Sequence, residues 1–282
     1  MFAHEYAESV LLGPTLDDKL RTAPRELVDA PATAPGAPSV PSAPARDPSL
    51  AIATDRRAKR KVPSAIGFRD KAQAARILHG LANHELQAVE LFAWALLRYP
   101  DAPRSFRRGL LRILGEEQIH LRLYLGRLEA YGVEFGSEPL SGYFWSKVHE
   151  LTTPARFVAA MCLTFESANL DHALFLREQA VAARDAATAA VLQRVHDDEI
   201  GHVRFGAIWL RRLGGRERPF VDVWLEHLSH PLRPALARGD VFVEESRVKA
   251  GLDADYIDAL RRAERPTALY RFARSANEQG PA

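Results

Sequence analysis

Two four-residue strings limit what this chain can become: Glu117-Gln118-Ile119-His120 and Glu199-Ile200-Gly201-His202. Each is a Glu-x-x-His. Residues three apart share one face of an α-helix, so each string aims a carboxylate oxygen and an imidazole nitrogen at one place. A single copy fits a solvated helix face equally well. Two copies become informative when two further helices supply inward carboxylates, and Glu85 and Glu166 do so. Glu85 lies 32 residues before Glu117, and Glu166 lies 33 before Glu199. Two helix hairpins of matched length would carry these groups at matched depth.

The flanking sequence supplies the helices. Residues 70–98 show helical period without internal proline, with Leu78, Leu81, Glu85, Ala88, Phe92 and Ala95 recurring at three and four. Residues 103–131 carry the stripe Leu110, Ile113, Glu117, His120, Tyr124 and Leu128, and Gly132 offers a left-handed stop. Thr153-Pro154 opens a third helix running to about 183, with Ala159, Cys162, Glu166, Asn169, Ala173 and Leu176 inward. The fourth, 185–213, presents Leu192, Val195, Glu199, His202, Gly206 and Trp209 before Gly214-Gly215. Each helix is about 40 Å long at 1.5 Å per residue. Tight turns make each pair antiparallel. Residues 132–153 are long enough to cross the bundle, with a helical turn near 143–150.

The expected fold is therefore all-α, a four-helix bundle with a long crossover between its second and third helices and short helices at both ends. It divides into an N-terminal helical arm (1–22), a Pro/Ala-rich linker (23–66), the bundle (67–215) and a C-terminal helical extension and tail (216–282). Short helices are expected at 3–12, 15–22, 219–229, 232–238 and 253–264, with the last dozen residues loose. Pro31, Pro35, Pro38, Pro41, Pro44 and Pro48 deny the linker a helix or ladder, so it reads as extended or disordered. It ends in a basic run, Arg56 to Lys61, that lacks the interleaved aromatics of a base-reading surface.

Composition removes several function classes. A net charge of +2 argues for neither nucleic acid nor membrane as a bulk partner. The one cysteine excludes an intramolecular disulfide and suits a reducing cytoplasm. No stretch approaches the roughly 20 apolar residues of a membrane span, and the N-terminus lacks the basic and apolar regions of a signal peptide. A soluble, cytoplasmic protein is expected.

Four ionised glutamates in an apolar interior repel one another, and each costs on the order of several kcal/mol to desolvate. Two divalent cations would neutralise them. Oxygen-rich ligation with one imidazole per metal suits iron or manganese better than zinc, calcium or magnesium. A Glu from each of two helices and a Glu-x-x-His from each of the other two is the ligand pattern of ferritin-like di-iron and di-manganese proteins. The expected ligands are thus Glu85, Glu117, His120, Glu166, Glu199 and His202, around two Fe ions, with Fe/Mn and Mn/Mn as alternatives. Glu116 and Asp198, each preceding a ligand Glu, can reach a histidine on the neighbouring helix. Glu90 rivals Glu85 but shares a face with Leu86 and Leu97, where it reads as a partly exposed ion-pair partner or a supplementary carboxylate. Tyr124, one turn after His120, is a candidate redox or hydrogen-bonding group, with core filler the simpler reading. His84, His172, His196, Asp171 and Cys162 read as hydrogen-bonded or buried structural residues.

Several strings carry a resemblance. Asn83 to Glu90 is similar to the first metal helix of the bacterioferritin and ferritin-like superfamily. The runs EYAESVLL, HELQAVELFAWAL, FESANLD and DDEIGHVRFG more closely resemble a bacterial ferritin-like family of unknown function. The resemblance spans nearly the whole chain apart from the linker and tail. It implies a ferritin-like bundle with a dinuclear centre and, by analogy with the di-iron tRNA hydroxylase group, oxygen-linked chemistry. Glu116 stands where an Asp is common.

The expected activity is that of an O₂- or peroxide-activating oxidase or monooxygenase acting on a small molecule. A non-catalytic ferroxidase, metal-storage or metal-sensing protein is the alternative, and a tRNA-modifying hydroxylase a second. RNA is a weak partner candidate, and a homodimer stays open.

Overall fold

The computed structural model describes residues 1–29, 40–54 and 63–264. The described residues form ten α-helices and no strand, only two isolated bridges, Phe2 with Val28 and Ile52 with Leu140. No helix among them is long and apolar enough to cross a membrane. The expected loose tail and the basic run at 56–61 lie outside the described residues.

The two N-terminal helices, α1 (Ala3–Leu12) and α2 (Leu16–Lys19), pack on the body as their small apolar faces require. Helix α3 (Lys71–Arg98) starts where the Asp70 carboxylate accepts from the Gln73 amide. It pairs with α4 (Arg104–Tyr131), which ends at Gly132 in a left-handed conformation (φ 73°). Helix α5 (Pro154–Ala160) begins at Thr153, whose side chain accepts from the Arg156 amide. It runs through a π-helical segment, Met161–Phe165, into α6 (Glu166–Ala182). Helix α7 (Ala186–Gly214) packs against α6 and reaches α4, joining the two long pairs. Its cap, Asp185, also accepts from the Tyr131 hydroxyl at 2.7 Å, which ties the end of α4 to the α6–α7 turn. The extension holds α8 (Phe220–His227), a 3₁₀ turn at Pro234–Ala237, α9 (Glu244–Lys249) and α10 (Ala254–Arg262).

Three expectations need correction. The third bundle helix is not one regular α-helix, because the π turn adds a residue just before Glu166. Freed carbonyls there find other donors. The Ala159 carbonyl accepts from Thr164 Oγ1 (2.8 Å) and Trp224 Nε1 (3.3 Å), and the Leu163 carbonyl accepts from the Tyr256 hydroxyl. Second, residues 40–54, expected to be extended or disordered, dock on the body. The Ala45 and Asp47 amides donate to the Leu11 and Pro14 carbonyls, Leu50 is buried, and Pro48 opens a 3₁₀ turn from its first position, where its missing N–H costs nothing. The crossover bends around this segment. Gly136 takes φ 93°, and a Cβ there would sit 2.6 Å from the Ser49 carbonyl oxygen. Third, Glu90 is fully buried rather than partly exposed. It pairs with Arg46 (2.7 Å) and Lys19 (3.3 Å) and accepts from Trp145 Nε1 (2.8 Å).

The apolar core falls into two clusters. One holds Phe92, Leu110, Ile113, Phe157 and Leu210, the other Leu78, Leu86, Leu121, Leu128 and Leu192. Between them, at the middle of the long helices, lies a buried polar layer.

Candidate metal centre

That layer consists of Glu85 from α3, Glu117 and His120 from α4, Glu166 from the start of α6, and Glu199 and His202 from α7. All six are buried. Exposure is 0% for Glu117, His120 and His202 and no more than 5% for the rest. Ligand-type atoms of Glu85, Glu117, His120 and Glu199 all lie within 4.8 Å of one another, as do those of Glu117, Glu166, Glu199 and His202. The groups overlap, with Glu117 and Glu199 in both. The structure thus brings together all six residues singled out from sequence.

The histidines are held crosswise. His120 on α4 contacts Asp198 on α7 through Nε2 (3.1 Å), and His202 on α7 contacts Glu116 on α4 through Nε2 (3.0 Å). Each Nδ1 is left facing the carboxylates. His120 Nδ1 is 3.5 Å from Glu117 and 3.7 Å from Glu85, and His202 Nδ1 is 3.0–3.3 Å from Glu117, Glu199 and Glu166. Outward, Arg194 pairs with Asp198 (2.7 Å) and Arg112 lies 3.6 Å from Glu116. Those i,i+4 spacings are visible in the sequence, but nothing in it singles out the two arginines. Asn169, expected only as an inward stripe residue, contributes as well. Its amide donates to Glu199 Oε1 at 2.8 Å.

Both Glu117 oxygens, Glu199 Oε2 and His120 Nδ1 are buried without a hydrogen-bond partner. Unpartnered buried polar atoms are rare and costly. Here they converge, so the donor set fits cations that would satisfy all of them at once. Protonation shows the same strain. Burial, then repulsion from Glu117, pushes the Glu85 carboxyl well above its usual range, and burial, then Glu199, does so for Glu166. Burial also acts on Glu117 and Glu199, but the facing groups outweigh it and hold both carboxyls low. First among these are His120 for Glu117, and Glu166 and then His202 for Glu199. Burial depresses the two imidazoles, yet Asp198 for His120 and Glu116 for His202, with the central carboxylates, raise both well above the ordinary histidine value.

The neighbouring candidates divide. Tyr124 is buried beside the layer, where burial and then Glu85, Glu199 and Glu117 push its hydroxyl up. The Cys162 thiol is raised by burial and then Glu166. Asp171 accepts from the Gly239 and Val243 amides and from Arg247, anchoring the extension. His196 turns to Ser246 (2.8 Å) on α9, and the His84 ring stacks on Phe144.

Fold and site together define an all-helical protein with two overlapping carboxylate–histidine clusters buried at its centre. The chain belongs to the family described as a protein of unknown function (DUF455), whose profile matches residues 12–258. It is also similar to an uncharacterized protein of Haemophilus influenzae, 25% identical over 207 residues that cover 70% of each chain. No solved structure matches it.

Proposed function

We propose that the chain is a ferritin-like dinuclear metal protein, and that its function is O₂-dependent oxidation of a small molecule at two iron ions. The observation that carries this reading is the overlap of the two clusters at Glu117 and Glu199. Two separate mononuclear sites would share no carboxylate, whereas a pair of adjacent ions needs residues common to both. On this reading Glu85 and His120 serve one ion, Glu166 and His202 the other, and Glu117 and Glu199 stand between. The two antiparallel helix pairs and the long 132–153 connection are the arrangement in which this ligand pattern occurs. Carboxylate-rich donors with one imidazole each favour iron or manganese.

When bound, two reduced ions supply electrons to O₂ together and balance charge as it is reduced. The chain's own groups do the rest. Asp198 and Glu116 fix the tautomer and ring plane of His120 and His202, leaving Nδ1 free toward the centre. The two core clusters exclude bulk water above and below the layer. Asn169 holds one oxygen of Glu199, so the orientation of that carboxylate depends on a half-buried side chain.

Anaerobic loading with Fe(II), followed by exposure to O₂ under optical detection, tests the activity. A rapid absorbance change with O₂ uptake, repeated after each re-reduction, supports an oxidase. A single turnover that ends with mineral in a large cage supports storage, and the absence of any oxidation removes the catalytic reading.

A further inference from the structure

We propose that Tyr143, Phe144, Lys147, Phe165 and Arg233 form the port of this centre, an aromatic gate with a cationic rim that recognises a small organic anion with an apolar or aromatic body. The proposal rests on the dinuclear reading above.

Two flanks of the polar layer differ. On the α4–α7 flank Asp198 and Glu116 contact the histidines from outside, and Arg194 and Arg112 pair with those acids in turn. On the other flank the residues beside Glu85 and Glu166 are His84 and Phe165, both half-buried. One side chain of the crossover spans them. The Phe144 ring lies 4.4 Å from Phe165, nearly parallel, and 5.3 Å from His84. Phe144 therefore bridges the helix that carries Glu85 and the helix that carries Glu166. Its backbone is pinned, since the Phe144 amide donates to Gln87 Oε1 (3.0 Å) and Asn83 Nδ2 donates to the Ser141 carbonyl (3.0 Å). Its ring stays half-buried, as do those of Tyr143 and Phe165. Rings that merely fill the core of this protein, Phe92, Phe106 and Phe157, are fully buried.

Charge is arranged outside the gate. Tyr143 meets Phe165 edge-on at 5.9 Å. Lys147 Nζ sits 4.9 Å over the Tyr143 ring, and Arg233 is close enough to act electrostatically on the Tyr143 hydroxyl. Among the described residues neither Lys147 nor Arg233 has a carboxylate at ion-pair distance. Nearby, His84 and His172 act on each other, Asp240 and Asp171 act on His172, and Arg247 engages Asp171. Two cations without a carboxylate partner among the described residues, beside half-buried rings, suit a ligand with one anionic end and one flat apolar end. A polyanion such as RNA would need a broader run of phosphate contacts.

The test is fluorescence titration with 1-anilinonaphthalene-8-sulfonate, an aromatic anion, and with uncharged N-phenyl-1-naphthylamine. Both are applied to metal-free wild type, Lys147→Ala/Arg233→Ala, Phe144→Ala and a control, Arg104→Ala/Arg108→Ala. The rim variant is expected to weaken the sulfonate about tenfold and leave the neutral dye unchanged, whereas Phe144→Ala changes both and the control neither. Phe144→Leu replaces Phe144→Ala if the latter lowers Tm. On Fe(II)-loaded protein, extraction by 1,10-phenanthroline should be faster in the gate variant and slowed in wild type by saturating sulfonate dye. Equal sulfonate affinity in wild type and rim variant, equal loss of both dyes, or displacement of the dye by a short RNA better than by small aromatic acids overturns the proposal. The dye titration needs no metal, so a failure to take up iron is read apart from a failure of the port.

Discussion

At the scale of single residues, the centre is held by pairs that cross between helices. His120 leans on Asp198 and His202 on Glu116, so neither imidazole is positioned by its own helix alone. Asp198→Ala or Glu116→Ala is expected to weaken metal binding by roughly 10–100-fold, read by competition with a calibrated chelator, with little change in fold. Protons report on the same groups. Glu85, Glu166, His120 and His202 hold protons more tightly folded than unfolded. The unfolded chain then binds fewer protons, so stability falls as pH rises. The Glu85 and Glu166 share fades above 4.5 and the His120 and His202 share above 6.5, each lost as pH passes the folded value. Glu117 and Glu199, held low, act in the opposite sense, and their share is lost as pH falls below 4.5. Metal-free protein should therefore lose Tm as pH rises above 6.5. Metal-loaded protein should lose far less, because bound cations keep the ligands deprotonated.

At the scale of elements, the four long helices were legible because apolar residues repeat at helical period around each carboxylate. The six central residues were legible because their spacing repeats between hairpins. The π turn was not. Met161–Phe165 continues the period of its neighbours, and its cause lies in partners far along the chain, Trp224 and Tyr256, that accommodate the displaced carbonyls. π turns of this kind often sit at functional sites, and this one ends immediately before Glu166. Across from it α7 approaches closely. A Cβ on Gly206 would lie 2.4 Å from the Cys162 Cβ. Gly206→Ala is expected to cost about 1–3 kcal/mol through overpacking and to weaken binding of the ion served by Glu166 more than the other, seen in calorimetric melting and metal titration. Helix α9 also escaped the sequence reading. Six residues are too few for periodicity, and its position depends on Arg247 reaching Asp171.

At the scale of the whole molecule, buried ion pairs fasten the outer segments to the long helices. Glu90 gathers Lys19 from α2, Arg46 from the 40–54 segment and Trp145 from the crossover. The docking of residues 40–54 was hidden in the sequence because one long-range pair anchors a stretch whose proline content reads as linker. Removing Glu90 would strand two buried cations. Glu90→Ala is expected to destabilise by about 3–5 kcal/mol and to raise protease sensitivity in residues 1–29 and 40–54, measured by denaturant titration and limited proteolysis. The same outer segments brace the crossover, which carries Phe144 between the helices of Glu85 and Glu166. The central claim remains that two metal ions share Glu117 and Glu199. Its most direct measurement is equilibrium titration of metal-free protein with Fe(II) under anaerobic conditions. Two equivalents should bind per chain in wild type, and both should weaken in Glu117→Ala and in Glu199→Ala. Binding of one equivalent or none, or loss of only one ion in each of those variants, would contradict it.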